Sequence, residues 1–232
     1  MRVEKEVMIM TRTPLRERSL PDYTRANEIA NMITHIAGGA IGVAVLVFAV
    51  LIAASHKNPW GVVSGALYGA SMIVLYAVSS VYHGLKPSMG KKVMQVIDHC
   101  TIYLLIVGTY TPILLTAIRP AHPAIAWVIF GAEWALAAFA VVFTAIDHKQ
   151  YGKLSMCCYI GMGWLLLLAL KPTLEAVGKA GFLWLLAGGI AYTVGAMIYG
   201  LGKKNPALHT VFHLFVDAGS LLQAVCILKY VL

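Results

Sequence analysis

The stretch ITHIAGGAIGVAVLVFAVLIAAS, Ile33–Ser55, contains no Asp, Glu, Lys or Arg. About 20 predominantly apolar residues are enough to cross the hydrocarbon core of a bilayer as a helix. Lipid offers the backbone no hydrogen-bonding partner, so a run of this kind must satisfy its own amides and carbonyls, and a helix does so within one segment. Working outward, comparable runs recur at Trp60–Val81, Val93–Ile118, Pro123–Ile146, Leu154–Leu170, Phe182–Leu201 and Ala207–Leu232. The connections are short and hold helix-breaking pairs such as Asn58-Pro59, Lys86-Pro87 and Asn205-Pro206. The expectation is an all-α membrane protein with seven transmembrane helices. Residues 1–26 form a polar tail and residues 27–232 the membrane domain. The first and last helices should begin a few residues ahead of their apolar runs.

Composition excludes a soluble globular domain. Hydrophobic residues make up 59% of the chain and charged residues 12%, against roughly 25% charged in soluble proteins. The first 26 residues carry both charge signs and lack the apolar core of a signal sequence. Cys100, Cys157, Cys158 and Cys226 lie in or beside apolar runs without Cys-x-x-Cys spacing, which speaks against a disulfide framework or thiolate metal site. They read as small packing residues.

The net charge of +8 is a topological signal rather than a mark of nucleic-acid binding. Thirteen of the 18 Lys and Arg fall in the N-terminal tail and the second, fourth and sixth loops. Basic residues concentrate on the cytoplasmic side, so the N-terminus is expected inside and the C-terminus outside. Gly38 and Gly42, and Gly65 and Gly69, sit four residues apart, a spacing that lets membrane helices approach closely. They serve packing within the chain or a dimer face, which leaves an oligomer open.

With that orientation, the polar residues of several helices converge on one leaflet. His83 lies at the cytoplasmic end of the second span, and His209 and His213 at the start of the seventh. Asp98 opens the third, and Glu28, Asn31 and His35 open the first. At 100° per residue, Ser79 and His83 lie 40° apart on their helix, as do His209 and His213. Ionisable residues at membrane depth are costly and mark sites. Three imidazoles suit a zinc ion with one open position; hydrogen-bonded packing is the alternative for any one histidine.

The other ionisable groups divide by position. His35 lies deeper and reads as hydrogen-bonded packing. Asp98 needs a partner, either an imidazole or metal-bound water, unless it reaches interfacial solvent. Glu28 either caps the first helix or supports the site. Asp217, four residues after His213, is placed to orient that imidazole, and Glu133 in the fourth span needs a polar partner. His56 and His122 fall in opposite-side loops, His148 in a solvated loop, and His99 faces 100° away from Asp98. None of these four is expected to ligate a metal.

The chain resembles the hemolysin III family of bacterial membrane proteins, related to the progestin and adipoQ receptors. The resemblance rests on Glu28-Ile29-Ala30-Asn31 with His35, on Ser79-Ser80-Val81-Tyr82-His83, on Asp98-His99-Cys100-Thr101-Ile102-Tyr103 running on to Gly108-Thr109-Tyr110-Thr111-Pro112, and on His209-Thr210-Val211-Phe212-His213. Four motifs in order across the membrane domain are far more specific than any one. Asp217 and Gln223 depart from the family pattern, and neither touches these motifs.

The resemblance implies a seven-helix protein of the bacterial cell membrane, with a cytoplasmic N-terminus. It implies a Zn2+ ion held by His83, His209 and His213, with Asp98 and Ser79 beside it. It further implies a zinc-dependent hydrolase of a lipid amide, ceramidase-like. In that reading Asp98 acts as general base, Ser79 as a hydrogen-bond donor to water or an oxyanion, and Glu28, Asn31 and His35 as supports. The competing expectations are a non-enzymatic membrane-homeostasis or sensor protein with structural zinc, and a pore-forming cytolysin. Membrane lipids are the expected partners, one of them a substrate under the first reading.

Overall fold

The computed structural model describes residues 12–202 and 205–232. The first 11 residues of the expected tail, with Arg2 and Lys5 among its basic residues, and Lys203-Lys204 lie outside them. The described residues form helices and turns with no strand. We label the main helices α1 (Arg25–Ser55), α2 (Pro59–Gly84), α3 (Met89–Pro112), α4 (Pro123–Asp147), α5 (Gly152–Gly163), α6 (Leu170–Leu201) and α7 (Ala207–Cys226).

Local chemistry sets where they begin. Thr24 and Asn27 form a reciprocal capping box at α1, the Thr24 hydroxyl accepting from the Asn27 amide at 3.2 Å and the Asn27 side chain accepting from the Thr24 amide at 3.3 Å. Glu28 is therefore free of the capping role open to it. Asn58 caps α2 ahead of Pro59, where proline's missing donor costs nothing. Ser88 caps α3 through the Lys91 amide at 3.2 Å. The first helix starts eight residues before Ile33, as expected. The last does not start early: Pro206 ends the preceding turn and α7 begins at Ala207, where its apolar run begins.

After Pro112, which lacks an amide donor, α3 widens into π-helical turns over Ile113–Ile118. The expected fifth span, Leu154–Leu170, is not one continuous α-helix. It breaks at Trp164 and passes through a 3-10 turn at Leu165–Ala169. The Tyr110 hydroxyl is inserted at this break, donating to the Gly163 carbonyl and accepting from the Leu166 amide, both at 3.0 Å. A side chain inserted into the helical ladder is a recognised cause of such kinks.

Among the described residues, six stretches are long and apolar enough to cross a membrane, and one of them, Gly152–Leu201, is 50 residues long. As a straight helix it would reach about 75 Å, against a hydrocarbon core of roughly 30 Å. It is not straight. Gly178 has φ 67° and ψ 172°, a conformation essentially confined to glycine. Trp164 donates from Nε1 to Thr193 Oγ1 at 3.0 Å, although 29 residues of unbroken helix would separate them by about 43 Å. The chain folds back on itself at Gly178.

Two polar ends result. At one, residues Thr13–Tyr23 meet α2, α4 and α7. At the other, His56 reaches the Leu232 carbonyl at 2.8 Å and His122 pairs with Glu175 at 2.7 Å. Between them the exterior is apolar: Leu168 is 81% exposed and Val128 71%. The interior is stacked with tyrosines, Tyr68, Tyr76 and Tyr103 having no exposed surface. The small-residue pairs bring α1 against α2. Gly69 sits so close to Leu46 that an added Cβ would lie 2.5 Å from its Cα, and Gly42 would meet Met72 at 3.1 Å. Packing within the chain, rather than a dimer face, uses these glycines.

Candidate metal centre

His83, His209 and His213 lie together, with one ligating-type atom from each within 4.8 Å of the others. One turn of α7 places the Nε2 atoms of His209 and His213 3.1 Å apart. The last turn of α2 adds His83, whose ring centroid lies 5.3 Å from that of His209 and 5.1 Å from that of His213. Helix α1 supplies the hydrogen bonds that set their tautomers. His83 donates from Nδ1 to Glu28 Oε2 at 2.7 Å, and His213 donates from Nδ1 to the Asn31 carbonyl at 3.2 Å. A carboxylate and a carbonyl oxygen only accept, so each ring carries its proton on Nδ1 and presents a bare Nε2.

This arrangement fits a metal ion. His83 Nε2 is buried with no hydrogen-bond partner, and His213 Nε2 directs a lone pair at its neighbour on His209. A buried unsatisfied nitrogen is costly, and a cation shared by the three imidazoles removes that cost. Holding the far nitrogen of a ligating histidine by a carboxylate or carbonyl is the usual support of such sites. The group could hold a metal ion.

Glu28 is itself anchored. Its second oxygen accepts from Lys91 Nζ at 2.7 Å, and Lys91 also donates to the Leu85 carbonyl at 3.0 Å. Asn31 is fully buried and accepts from the Thr210 hydroxyl at 2.5 Å. Helices α1, α2, α3 and α7 are thus joined by one polar cluster at this end of the bundle.

Ser79, Asp98, His35, His209 and His213 border an interior cavity of about 150 Å³. Its remaining wall is mainly apolar and aromatic, and it reaches Tyr110, Trp164 and Gln223 deeper in the bundle. The Ser79 hydroxyl is buried beside Asp98 and meets no hydrogen-bond geometry with another group among the described residues. Asp98 is about one-sixth exposed, and its carboxylate lies 4.0 Å from His99 Nδ1. The structure therefore brings Glu28, Asn31, His35, Ser79 and Asp98 to the three histidines.

The other ionisable residues fall as follows. His35 packs face to face on His213 at 3.6 Å and 8°, but neither of its ring nitrogens is hydrogen-bonded. Asp217 does not orient His213, a role that Asn31 fills; it lies beside Tyr76 where Gly38 leaves room. His148 is not solvated: it is 7% exposed, because the N-terminal segment packs over its loop. Burial, reinforced by His99, Arg18 and Lys149, pushes its pKa down to about 4. His99 borders the cavity beside Asp98 while standing outside the three-histidine group. Glu133 is 1% exposed, and its carboxylate has no hydrogen-bond partner among the described residues.

Two contributors were not singled out from the sequence. Lys91 counted there only as a loop charge, yet Lys91, Gln95 and Asp98 share one helical face through four- and three-residue spacing, a signal that was available. Tyr23, stacked on His209 at 5.1 Å, precedes the first helix and had no local signal.

Comparison with known proteins places the chain in a family. Residues 23–224 match the family described as Haemolysin-III related. The chain is 40% identical over 205 residues to Hemolysin-3 of Bacillus cereus, covering 88% of this chain and 92% of that protein. It is 38% identical over 208 residues to the Hemolysin-3 homolog of Bacillus subtilis (strain 168), covering 90% and 96%. More distantly, it is 26% identical over 230 residues to the human monocyte to macrophage differentiation factor, covering 94% and 90%. The chain is a multi-pass membrane protein and belongs to the Haemolysin-III related family.

Proposed function

We propose that this protein binds Zn2+ through His83, His209 and His213 and hydrolyses the amide bond of a membrane lipid. The observation that carries the reading is the bare Nε2 of His83 beside two Nε2 atoms 3.1 Å apart. Imidazole nitrogens, two of them with the far-side nitrogen held by a hydrogen bond, suit zinc better than the hard, oxygen-seeking cations. Bound there, zinc would supply Lewis acidity to an acyl carbonyl and to the attacking water.

The chain's own residues supply the rest. Asp98, on the cavity wall, takes the proton of the attacking water and returns it to the departing amine. The Ser79 hydroxyl, buried beside Asp98, donates to the oxygen that gains charge. The apolar part of the cavity receives the acyl chain and excludes water. We further infer seven crossings, with Gly152–Leu201 making two of them and turning at Gly178, and a cytoplasmic N-terminus. That topology puts the histidines at the inner leaflet, where a lipid headgroup lies.

A second reading is a non-enzymatic sensor with structural zinc, favoured by the way His83 and the α7 pair tie α2 to α7. Metal analysis of the purified protein and of a His209→Ala, His213→Ala double variant tests both readings. Equal zinc in the two would sink the site. The readings then part at Asp98→Asn. Retained zinc with hydrolysis of N-acyl lipids abolished supports the enzyme, and no hydrolysis by the unmodified protein supports the sensor.

A further inference from the structure

His209 differs from its two companions. His83 and His213 each have the far ring nitrogen held by a hydrogen bond, the support that orients nearly every metal-ligating histidine. Nδ1 of His209 is buried and has no hydrogen-bond partner among the described residues. Aromatic contacts hold its ring instead. Tyr23 stacks on it at 5.1 Å and 29°, while Tyr199 and Phe212 meet it at steeper angles, 57° and 49°. Tyr199 and Phe212 come from α6 and α7 and are fixed by the bundle. Tyr23 comes from outside it.

Tyr23 is held in place by the segment that precedes it. Arg18 donates from Nη2 to the Ile146 carbonyl at 2.6 Å and from Nε to the Thr13 carbonyl at 3.0 Å, and lies 3.6 Å from Asp147. The side chains of Arg18 and Asp147 are only 2% and 1% exposed. Asp147 also accepts from the Thr13 amide at 3.2 Å, and Lys149 donates to the Ser19 hydroxyl at 2.8 Å. On the other side of Tyr23 the Thr24 capping box fixes the entry into α1. A second cavity, of about 390 Å³, is bordered by Asp22, Tyr23, Tyr199, Asn205 and His209. His209 and Tyr199 thus border both this outer cavity and the interior one.

We propose that Tyr23 is a positioning residue for His209: its ring does what the missing Nδ1 hydrogen bond would do, so docking of the N-terminal segment completes the metal centre. This inference rests on the metal-binding reading above. It makes zinc affinity depend on an ion pair, Arg18 with Asp147, that belongs to a different part of the fold.

The test uses the full-length protein in detergent, with zinc affinity measured by competition against a chromophoric chelator. Tyr23→Ala should weaken zinc 10–100-fold, the range typical for loss of a group that orients a ligand, and should speed zinc loss to excess chelator. Tyr23→Phe, which keeps the ring, should bind like the unmodified protein. Asp147→Asn should shift affinity in the same direction as Tyr23→Ala. In metal-free protein, diethylpyrocarbonate should modify His209 several-fold faster in Tyr23→Ala than in Tyr23→Phe, read by peptide mass spectrometry. Zinc bound equally by the Ala variant and the unmodified protein, or an equal loss in the Ala and Phe variants, would overturn the inference while leaving the metal site standing. An unmodified protein that binds no zinc would overturn both.

Discussion

Lys91 and Glu28, 63 residues apart in sequence, form an ion pair at 2.7 Å in which the lysine side chain is only 2% exposed. The same carboxylate accepts from His83, so one residue serves both the stability of the bundle and the orientation of a candidate ligand. Removing one partner of a buried pair leaves the other charge uncompensated, at about 3–5 kcal/mol. Glu28→Gln should therefore lower the thermal midpoint and also weaken zinc 10–100-fold. Glu28→Gln with Lys91→Met should recover the midpoint without recovering the metal. Recovery of both would mean that Glu28 acts on the metal only through folding.

His148 sets a pH window for docking of the N-terminal segment. It faces His99, Arg18, Lys149 and Asp147, and burial first, then its cationic neighbours, depress its pKa to about 4. Above about pH 6.5 it is neutral whether the segment is docked or not, and docking has its full strength. As pH falls towards 4, the undocked form binds a proton that the docked form does not, so docking weakens. A spin label at Asp22→Cys in a cysteine-free background should gain mobility through that window. A His148→Phe background should flatten the response, and an unchanged profile there would exclude His148 as its source.

Three glycines separate strain from crowding. Gly178 has empty space where a Cβ would go but a backbone conformation other residues avoid, so Gly178→Ala should cost about 1–3 kcal/mol. Gly69→Ala should cost at least as much for the opposite reason, since the atoms it meets at 2.5–2.8 Å include the Leu46 backbone, which cannot rotate away. Gly131 has nothing within 4 Å, and Gly131→Ala should be neutral or stabilising by up to about 1 kcal/mol. Thermal melts in one detergent rank the three.

The crossing count is open to a labelling test in intact cells. With the native cysteines removed, Lys179→Cys should react with a membrane-impermeant maleimide from outside. Lys149→Cys should react only after permeabilisation. Labelling of both from the same side would refute the turn at Gly178 as a membrane re-entry point.

Much of this architecture was legible in the chain. The apolar runs marked where the helices lie, because hydropathy and helical capping act over one segment and its flanks, although α1 starts eight residues and α6 twelve residues ahead of their runs. The four-residue spacing of His209 and His213, with Ser79 one turn from His83, marked one polar face on each of two helices, because helical phase is also local. The break at Trp164 escaped notice, since its cause is the Tyr110 hydroxyl from another helix. So did the burial of His148, which depends on a segment more than 120 residues away in sequence.

By itself, then, the sequence determined a helical membrane protein with histidines gathered at one end, since both properties follow from residues near one another in the chain. Only the tertiary structure decided which group satisfies which. Glu28 might have capped its own helix, yet Thr24 and Asn27 do so and leave it for His83 and Lys91. Asp217 lay in phase with His213, yet the Asn31 carbonyl reaches that ring. Tyr23 carried no signal until it was found stacked on His209. The partner of a buried polar group is set by the register between packed helices, and that register is a property of the whole fold.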